Sequence, residues 1–265
     1  MDPKAARTLD ELAAAATAAD DEAHLDGWWC KAAPALPFRR ANVALPPVGL
    51  GADPDRLDRG LRTVAAWYRA RAVPLRVQVS SADPTAEALD DHLGARGLVV
   101  EAPVHVLVTP RPLGSIPDDL AGPAAPAATV TAGIDDAWVE RQALLAGADA
   151  TAQERSRAYG RMLARFGPAA IGATVRRGDE VIGIGFGVIA QGWLGIFGMA
   201  TAPAARRHGV ATAVVAGLEA HASAASATAA YLQVETDNRA ANACYQRLGY
   251  VRSHGYHYRS DPGPA

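Results

Sequence analysis

Lysine is almost absent from this 265-residue chain: it occurs only at positions 4 and 31, so nearly all of the 26 basic side chains are arginine. Basic tracts are missing, the net charge is -2 and the pI is about 6.4, which excludes a general nucleic-acid binder. Two cysteines, Cys30 and Cys244, stand far apart with no metal-ligand spacing around them. They exclude a disulfide scaffold and point to a reducing, cytoplasmic setting. The seven histidines form neither HxxxH nor HExxH, so no metal site is indicated. No apolar run reaches the ~18 residues of a membrane span, and the acidic, helical N-terminus does not read as a signal peptide. There is no P-loop GKS or GKT. No GxGxxG follows a parallel strand with an acid ~20 residues on, so a dinucleotide fingerprint is excluded too. Gly183-Ile184-Gly185-Phe186-Gly187 sits inside a strand pattern and opens no helix. Aromatics are only 6% of the chain, so each Trp, Tyr and Phe carries much of the positional information.

What the chain has in excess is alanine, 60 residues of 265. With 49% hydrophobic and 20% charged residues it can build a sizeable core. A Pro-, Ala- and Gly-rich seam over 109–130 lacks apolar periodicity and reads as a linker, the rival reading being a long surface loop within one domain. The expected units are 1–110 and 131–265, joined by 111–130. In the first, helices are expected over about 4–22, 54–72 and 85–97. Two strands are expected around a turn at Pro34–Pro37, and further strands at 74–80 and 98–109. In the second, helix signals at 135–147 and 151–166 precede three hairpin-linked strands, 169–177, 180–190 and 193–201. A helix (204–225), a strand (229–235), a short helix (237–249) and a last strand (250–259) follow. The class is α/β, a mixed and largely antiparallel sheet flanked by helices. The stretches 89–108 and 244–259 share the order helix, Leu-Gly, apolar strand, which indicates duplication.

The sharpest local feature runs from Met199 to Ala211. A strand ends, a turn follows, and an arginine- and glycine-rich segment opens a helix. Successive backbone amides at a helix start cradle anions, aided by the helix dipole. Gly209 permits close backbone approach, Ala211 keeps the next turn small, and Arg206 and Arg207 neutralise phosphate charge. The same residues also fit an ordinary capped helix with solvated arginines.

The second unit resembles the GCN5-related N-acetyltransferase family over about 130–260. That family's (Arg or Gln)-x-x-Gly-x-(Gly or Ala) motif is met by Arg206-Arg207-His208-Gly209-Val210-Ala211, with Pro203 at the usual distance before it. Its second motif is matched by Asn238, Ala241, Tyr245, Gly249 and Tyr250. The resemblance implies the acyl-CoA N-acyltransferase fold and acetyl-CoA as cofactor. It implies that the backbone of Met199, Ala200 and Thr201 pairs with the pantetheine arm. The amides from Arg207 through Val210 and Ala211 to Thr212 take the pyrophosphate, and Asn238 lies on the pantetheine side. Tyr245 is the expected general acid, returning a proton to the departing thiolate. The implied reaction is direct attack of an amine on the thioester; the expected acceptor is a small-molecule amine, with amino-acid or antibiotic-like metabolites and protein N-termini left open because the acceptor is not legible in the sequence. Many members place a carboxylate on the fourth strand as base, but 193–201 contains no acid. Glu235 and Glu180 are the candidates left, acting through water. Cys244 is better explained by helix packing than as an acyl acceptor. A non-catalytic acyl-CoA-binding or regulatory module on the same fold is the alternative. The first unit resembles the degenerate N-terminal half of tandem members: Arg62 and Asp58 around Gly60 spoil a cofactor signature. No nucleic acid or membrane partner is expected, and the chain is a monomer or a homodimer.

Overall fold

A computed structural model describes residues 2–36, 38–117, 120, 126–145 and 159–262. The chain divides into two compact units, one made of residues 1–106 and 253–265, the other of 107–252.

Unit 1 begins with α1 (Pro3–Ala15), then β1 (Asp21–Leu25), β2 (Trp28–Ala32) and β3 (Val43–Leu45). It continues with α2 (Pro54–Arg69), β4 (Arg76–Ser80), α3 (Ala86–Ala95) and β5 (Val99–Val108), whose last two residues belong to unit 2. The first helix is shorter than expected. Residues 21–25 form a strand because Asp26 (φ 51°) and Gly27 (φ 86°) make the tight left-handed turn that joins twisted antiparallel strands. β2 pairs antiparallel with β3, and β3 pairs parallel with β4 across the α2 crossover. Leu57, Leu61, Val64 and Tyr68 bury the apolar stripe of α2 on this sheet. The N-terminus of α2 lies at Asp53, whose carboxylate accepts the Arg56 amide at 3.0 Å. Asp58, Gly60 and Arg62 therefore fall beyond the first turn, not at the helix start that the sequence comparison assumed. Gly60 has a packing reason: a Cβ there would meet the Trp28 indole.

The last strand, β11 (Val251–Ser260), is the main departure from the expected boundaries. It pairs antiparallel with β4 from Tyr256↔Ser80 to Ser260↔Arg76, so residues from Ser253 onward belong to unit 1. The strand order there is β1-β2-β3-β4-β11-β5. Arg259 fixes the register through Asp90, with contacts of 2.7 and 2.6 Å.

Unit 2 contains β6 (Ala128–Ala132), α4 (Asp136–Leu145), a helix over 159–164 (α5) and β7 (Ala170–Arg177). Then come β8 (Glu180–Ala190), β9 (Trp193–Thr201), α6 (Val210–Ala224), β10 (Ala229–Glu235) and α7 (Arg239–Arg247). Its strand order is β10-β9-β8-β7-β6. The parts of the two expected helices between 146 and 158 lie outside the described residues. Both units run antiparallel strands, three in unit 1 and four in unit 2, into a crossover helix, a parallel strand and a further helix; the strand after α3 is β5, and the one after α7 is β11, most of which belongs to unit 1.

The expected linker over 111–130 is not free-standing where it is described. Leu113, Ile116 and Leu120 pack on the core beneath α6, and 128–132 is strand β6, paired with β7. A buried charge holds this strap. Glu219 of α6 has no exposed side-chain surface and takes both ends of the Arg111 guanidinium at 2.7 and 2.9 Å. It also accepts the Gly114 amide at 3.0 Å and the Tyr250 hydroxyl at 2.7 Å. Arg111 Nε donates to the Leu248 carbonyl at 2.9 Å, reaching the end of α7. The sequence read this stretch as linker because its anchors are separated from their partner by more than a hundred residues.

Replacing Arg111 by alanine strands a buried carboxylate, so Arg111→Ala is expected to lower the urea unfolding free energy by about 3–5 kcal/mol. Lys31 generates a second expectation. It is fully buried, and its Nζ donates to the Thr17 carbonyl at 2.7 Å and to that of Ala14, closing the end of α1. Burial pulls its ammonium down from 10.5 to about 8, partly opposed by Glu22. Between those values the unfolded chain binds the extra proton, so stability rises with pH across that window. In urea unfolding from pH 7.5 to 10.5, the wild type should gain stability relative to Lys31→Met.

Candidate functional site

The site is built where two strands part. β8 and β9 pair from Ala190↔Trp193 to Gly183↔Thr201, but their register slips between Ile184 and Phe186. Gly198 and Met199 together oppose Gly185, which is a bulge in β9. Gly198 has φ +60°, and a Cβ there would lie 2.8 Å from a Phe186 ring carbon and 3.0 Å from the Tyr159 hydroxyl. On its other side β9 pairs parallel with β10 only from Trp193↔Ala229 to Ile196↔Leu232. Beyond that, β9 runs on to Thr201 and β10 to Glu235 without pairing to each other. Facing strand edges are left open, and backbone polar groups there call for hydrogen-bond partners. An extended chain bearing amides can insert as an added strand.

The parted strands lead to the start of α6. β9 leaves through a short turn at Pro203–Ala205, pinned by the Ala202 amide on the Ile182 carbonyl at 2.9 Å. Arg207 (φ 63°) and Gly209 (φ 75°) both adopt left-handed backbone. For arginine that conformation is costly and marks a constrained loop. Gly209 is the N-cap and supplies no side-chain hydrogen bond to the helix. The first amides of α6 have no intrahelical acceptor, and the dipole makes this end positive. Arg206, Arg207, His208 and Gly209 are exposed, and Nδ1 of His208 lies 2.8 Å from the Arg206 carbonyl. Val210 and the half-buried Ala211 and Thr212 form the first turn. The helix lies close on β8 because Gly183 and Gly185 face it; a Cβ at Gly185 would stand 2.8 Å from Val214. The glycine alternation in β8 is thus a helix-to-sheet contact.

Met199 packs against the α6-side core, while Ala200 and Thr201 face Ile184 and Gly183 across β8. Tyr245, on α7, is buried, with its ring 6.2 Å from that of Tyr250. Burial first, then Cys244, holds its phenol protonated far above the usual range. Asn238 caps α7, its Oδ1 accepting the Ala241 amide at 3.1 Å. That oxygen is therefore committed to the helix, which the sequence reading did not foresee. Asn242 ties α7 to β10 through the Glu235 and Asn238 carbonyls at 3.0 and 2.9 Å. Glu235 is exposed at the open end of β10. Glu180 is exposed beside the β7–β8 hairpin, opposite Arg177. It lies five residues along β8 from Gly185, which the bulge opposes, roughly 17 Å away at ~3.3 Å per residue. The structure thus brings Met199–Thr201, the α6 start, Glu235 and α7 to one end of the sheet; Glu180 lies at that end too, three residues past the Gly183↔Thr201 pair on β8 and away from the bulge. Burial raises the Cys244 thiol, which suits packing more than reactivity.

Two residues of this region escaped the sequence reading. Gly198 carries the bulge, and a lone glycine late in a strand was its signal. Gln233 is the one polar residue within the apolar run of β10, and its Oε1 is buried without a hydrogen-bond partner among the described residues. Among the described residues, no group of three His, Cys, Asp or Glu side chains is placed to hold a metal ion. No described helix is long and apolar enough to cross a membrane.

Residues 138–250 match the model of the acetyltransferase (GNAT) family. The chain carries a GNAT domain. The match spans less than half of the sequence and falls within unit 2. Among solved structures, the chain is similar to a GCN5-related N-acetyltransferase from Kribbella flavida, at 18% identity and a TM-score of 0.70. That alignment covers 100% of this chain and 96% of the other. A conserved protein of unknown function from Staphylococcus epidermidis matches at 10% identity and TM-score 0.64, covering 91% and 92% of the two chains. A tandem GNAT protein from the clavulanic acid biosynthesis pathway matches at 16% identity and TM-score 0.59, over 84% and 76%. No curated protein matches the sequence. At these identities the structural likeness speaks for the fold, the mixed, mostly antiparallel sheet flanked by helices of acyl-CoA N-acyltransferases.

If the bulge in the GNAT domain requires glycine, Gly198→Ala should destabilise the chain by about 1–3 kcal/mol in urea unfolding, from left-handed strain and ring overlap.

Proposed function

We propose that the GNAT domain binds acetyl-CoA and transfers its acetyl group to the nitrogen of an amine. The observation that carries this reading is the parting of β9 and β10 beside a glycine-capped helix start without a side-chain cap. The amides from Arg207 to Thr212 take the pyrophosphate, and Arg206 and Arg207 offset its charge. The open β9 edge at Met199, Ala200 and Thr201 pairs with the pantetheine amides. Because Asn238 Oδ1 caps α7, only its Nδ2 is left to face that arm.

The Tyr245 hydroxyl makes no hydrogen bond to any described residue and stays protonated, which suits a group that donates to a departing thiolate. As the nitrogen–carbon bond forms and the carbon–sulfur bond breaks, the Tyr245 proton goes to sulfur. The proton shed by the nitrogen leaves through water toward Glu235, the carboxylate nearest the open end of β10 among the two candidates. The acceptor is a primary amine, most simply a small molecule, and two free cysteines suit a reducing compartment.

Unit 1 is read as a worn copy that does not take the cofactor. Its equivalent helix start is filled by its own charge: Asp53 caps α2, and Asp55 sits in the first turn, where a pyrophosphate would be repelled. A non-catalytic acyl-CoA-binding module is the second reading, favoured by the absence of any acid on β9.

Calorimetry with acetyl-CoA should give one site per chain. Thiol release from acetyl-CoA should be stimulated by some member of an amine panel. Tyr245→Phe should lower kcat by about 100-fold or more while leaving the acetyl-CoA Kd unchanged. Binding without amine-stimulated release would favour the second reading, and no binding would defeat both.

A further inference from the structure

Resting on the acetyl-transfer reading, we infer that the Gln233 carboxamide is a catalytic group that receives an N–H of the attacking amine where β9 and β10 part. Four observations lead there. First, Gln233 is the residue after Leu232, the last residue of β10 to pair with β9. In register it stands level with Phe197, immediately before the Gly198 bulge. Second, strand alternation sends its side chain to the face of Tyr231, since Ala230, Leu232 and Val234 all belong to the α6-side core. Third, its Oε1 is buried and unpartnered. A buried carbonyl oxygen left without a donor destabilises a fold, and such groups are rare outside functional sites.

The fourth observation is a contrast. Trp138 Nε1 is the other buried, unpartnered side-chain atom of this unit among the described residues. It is roofed by the sheet: a Cβ on Gly172 would lie 2.9 Å from it, so no ligand atom fits between. Gln233 lies instead where the printed pairing of β9 with β10 stops, one residue past Leu232↔Ile196.

A neutral primary amine carries two N–H bonds and one lone pair. Held by one N–H on Gln233 Oε1, it aims the lone pair at the thioester carbon beside the bulge. The nitrogen becomes positive as its bond to carbon forms, and the amide oxygen then bears a stronger, charge-assisted hydrogen bond. The carbon–sulfur bond breaks, Tyr245 gives its proton to sulfur, and the nitrogen loses one proton through water toward Glu235. Gln233 itself neither gains nor loses a proton.

The test compares Gln233→Leu and Gln233→Glu in the full chain, with the amine that best stimulates thiol release from acetyl-CoA. Gln233→Leu should lose roughly 10- to 100-fold in kcat/KM for the amine, as expected for one charge-assisted contact made in the transition state. Its acetyl-CoA Kd should stay within about twofold of wild type, and its Tm should rise by about 2–4 °C as the orphaned oxygen is removed. A residue needed only for the fold would lower Tm instead. Gln233→Glu should give the kcat/KM–pH profile a new ascending limb, because the ionised carboxylate accepts the N–H far more strongly than the protonated acid does. Wild-type amine kinetics in Gln233→Leu, or a lowered Tm, would overturn the assignment while leaving acetyl transfer standing. A wild-type chain that releases no thiol with any amine overturns the acetyl-transfer reading, and this one with it.

Discussion

A carboxylate without exposed surface governs the architecture of the GNAT domain. Glu219 sits in the middle of α6, and a charge so placed survives only if every oxygen lone pair is met. Arg111, Gly114 and Tyr250 meet them. Those partners come from a strap before β6 and from Tyr250, three residues past the end of α7, so one side chain draws three separate chain segments together. The helix anchored in this way is the one whose first turn opens the candidate site. Its N-terminus is positioned by a contact two to three turns further along.

From that anchor the site follows by close packing. Glycines at alternate positions of β8 let α6 lie against the sheet, and the Gly198 bulge turns β9 away from β10. The same glycine-rich stretch that resembles a nucleotide loop on paper is a smooth surface for a helix. In unit 1 the corresponding helix starts on Asp53. Two helices of equivalent position in the order of elements thus differ in the sign of charge they tolerate at their starts.

Most elements were legible in the sequence because their cues are local. Hairpin turns, the α2 stripe and the Arg206–Ala211 motif each lie within a short window. What stayed hidden depended on partners distant in sequence or on the pairing of whole strands. Arg111 looked like part of a linker because Glu219 is far along the chain. The β1–β2 turn at Asp26–Gly27 was a local cue, but the alanine-rich helix before it masked it. The comparison of unit 1 with a cofactor motif fell on Asp58 and Gly60, a turn beyond the helix start, because Gly60 drew attention although its role is to seat Trp28. Asn238 was read for a ligand role, yet its oxygen caps a helix. Gln233 and Gly198 gain meaning only once the strands are seen to part.

The last strand of the chain completes the first unit. β11 lies between β4 and β5, so the sheet of unit 1 lacks an interior strand until residues 253–260 are present. Unit 2 is one continuous stretch, 107–252, and holds all of its own ladder from β6 to β10. During synthesis the N-terminal unit therefore waits with an open sheet edge while the unit made after it can already close. Contacts such as Tyr256↔Ser80 bridge most of the sequence, and pairings of that separation form late. Unit 1 can complete its sheet only after every residue of unit 2 has been made.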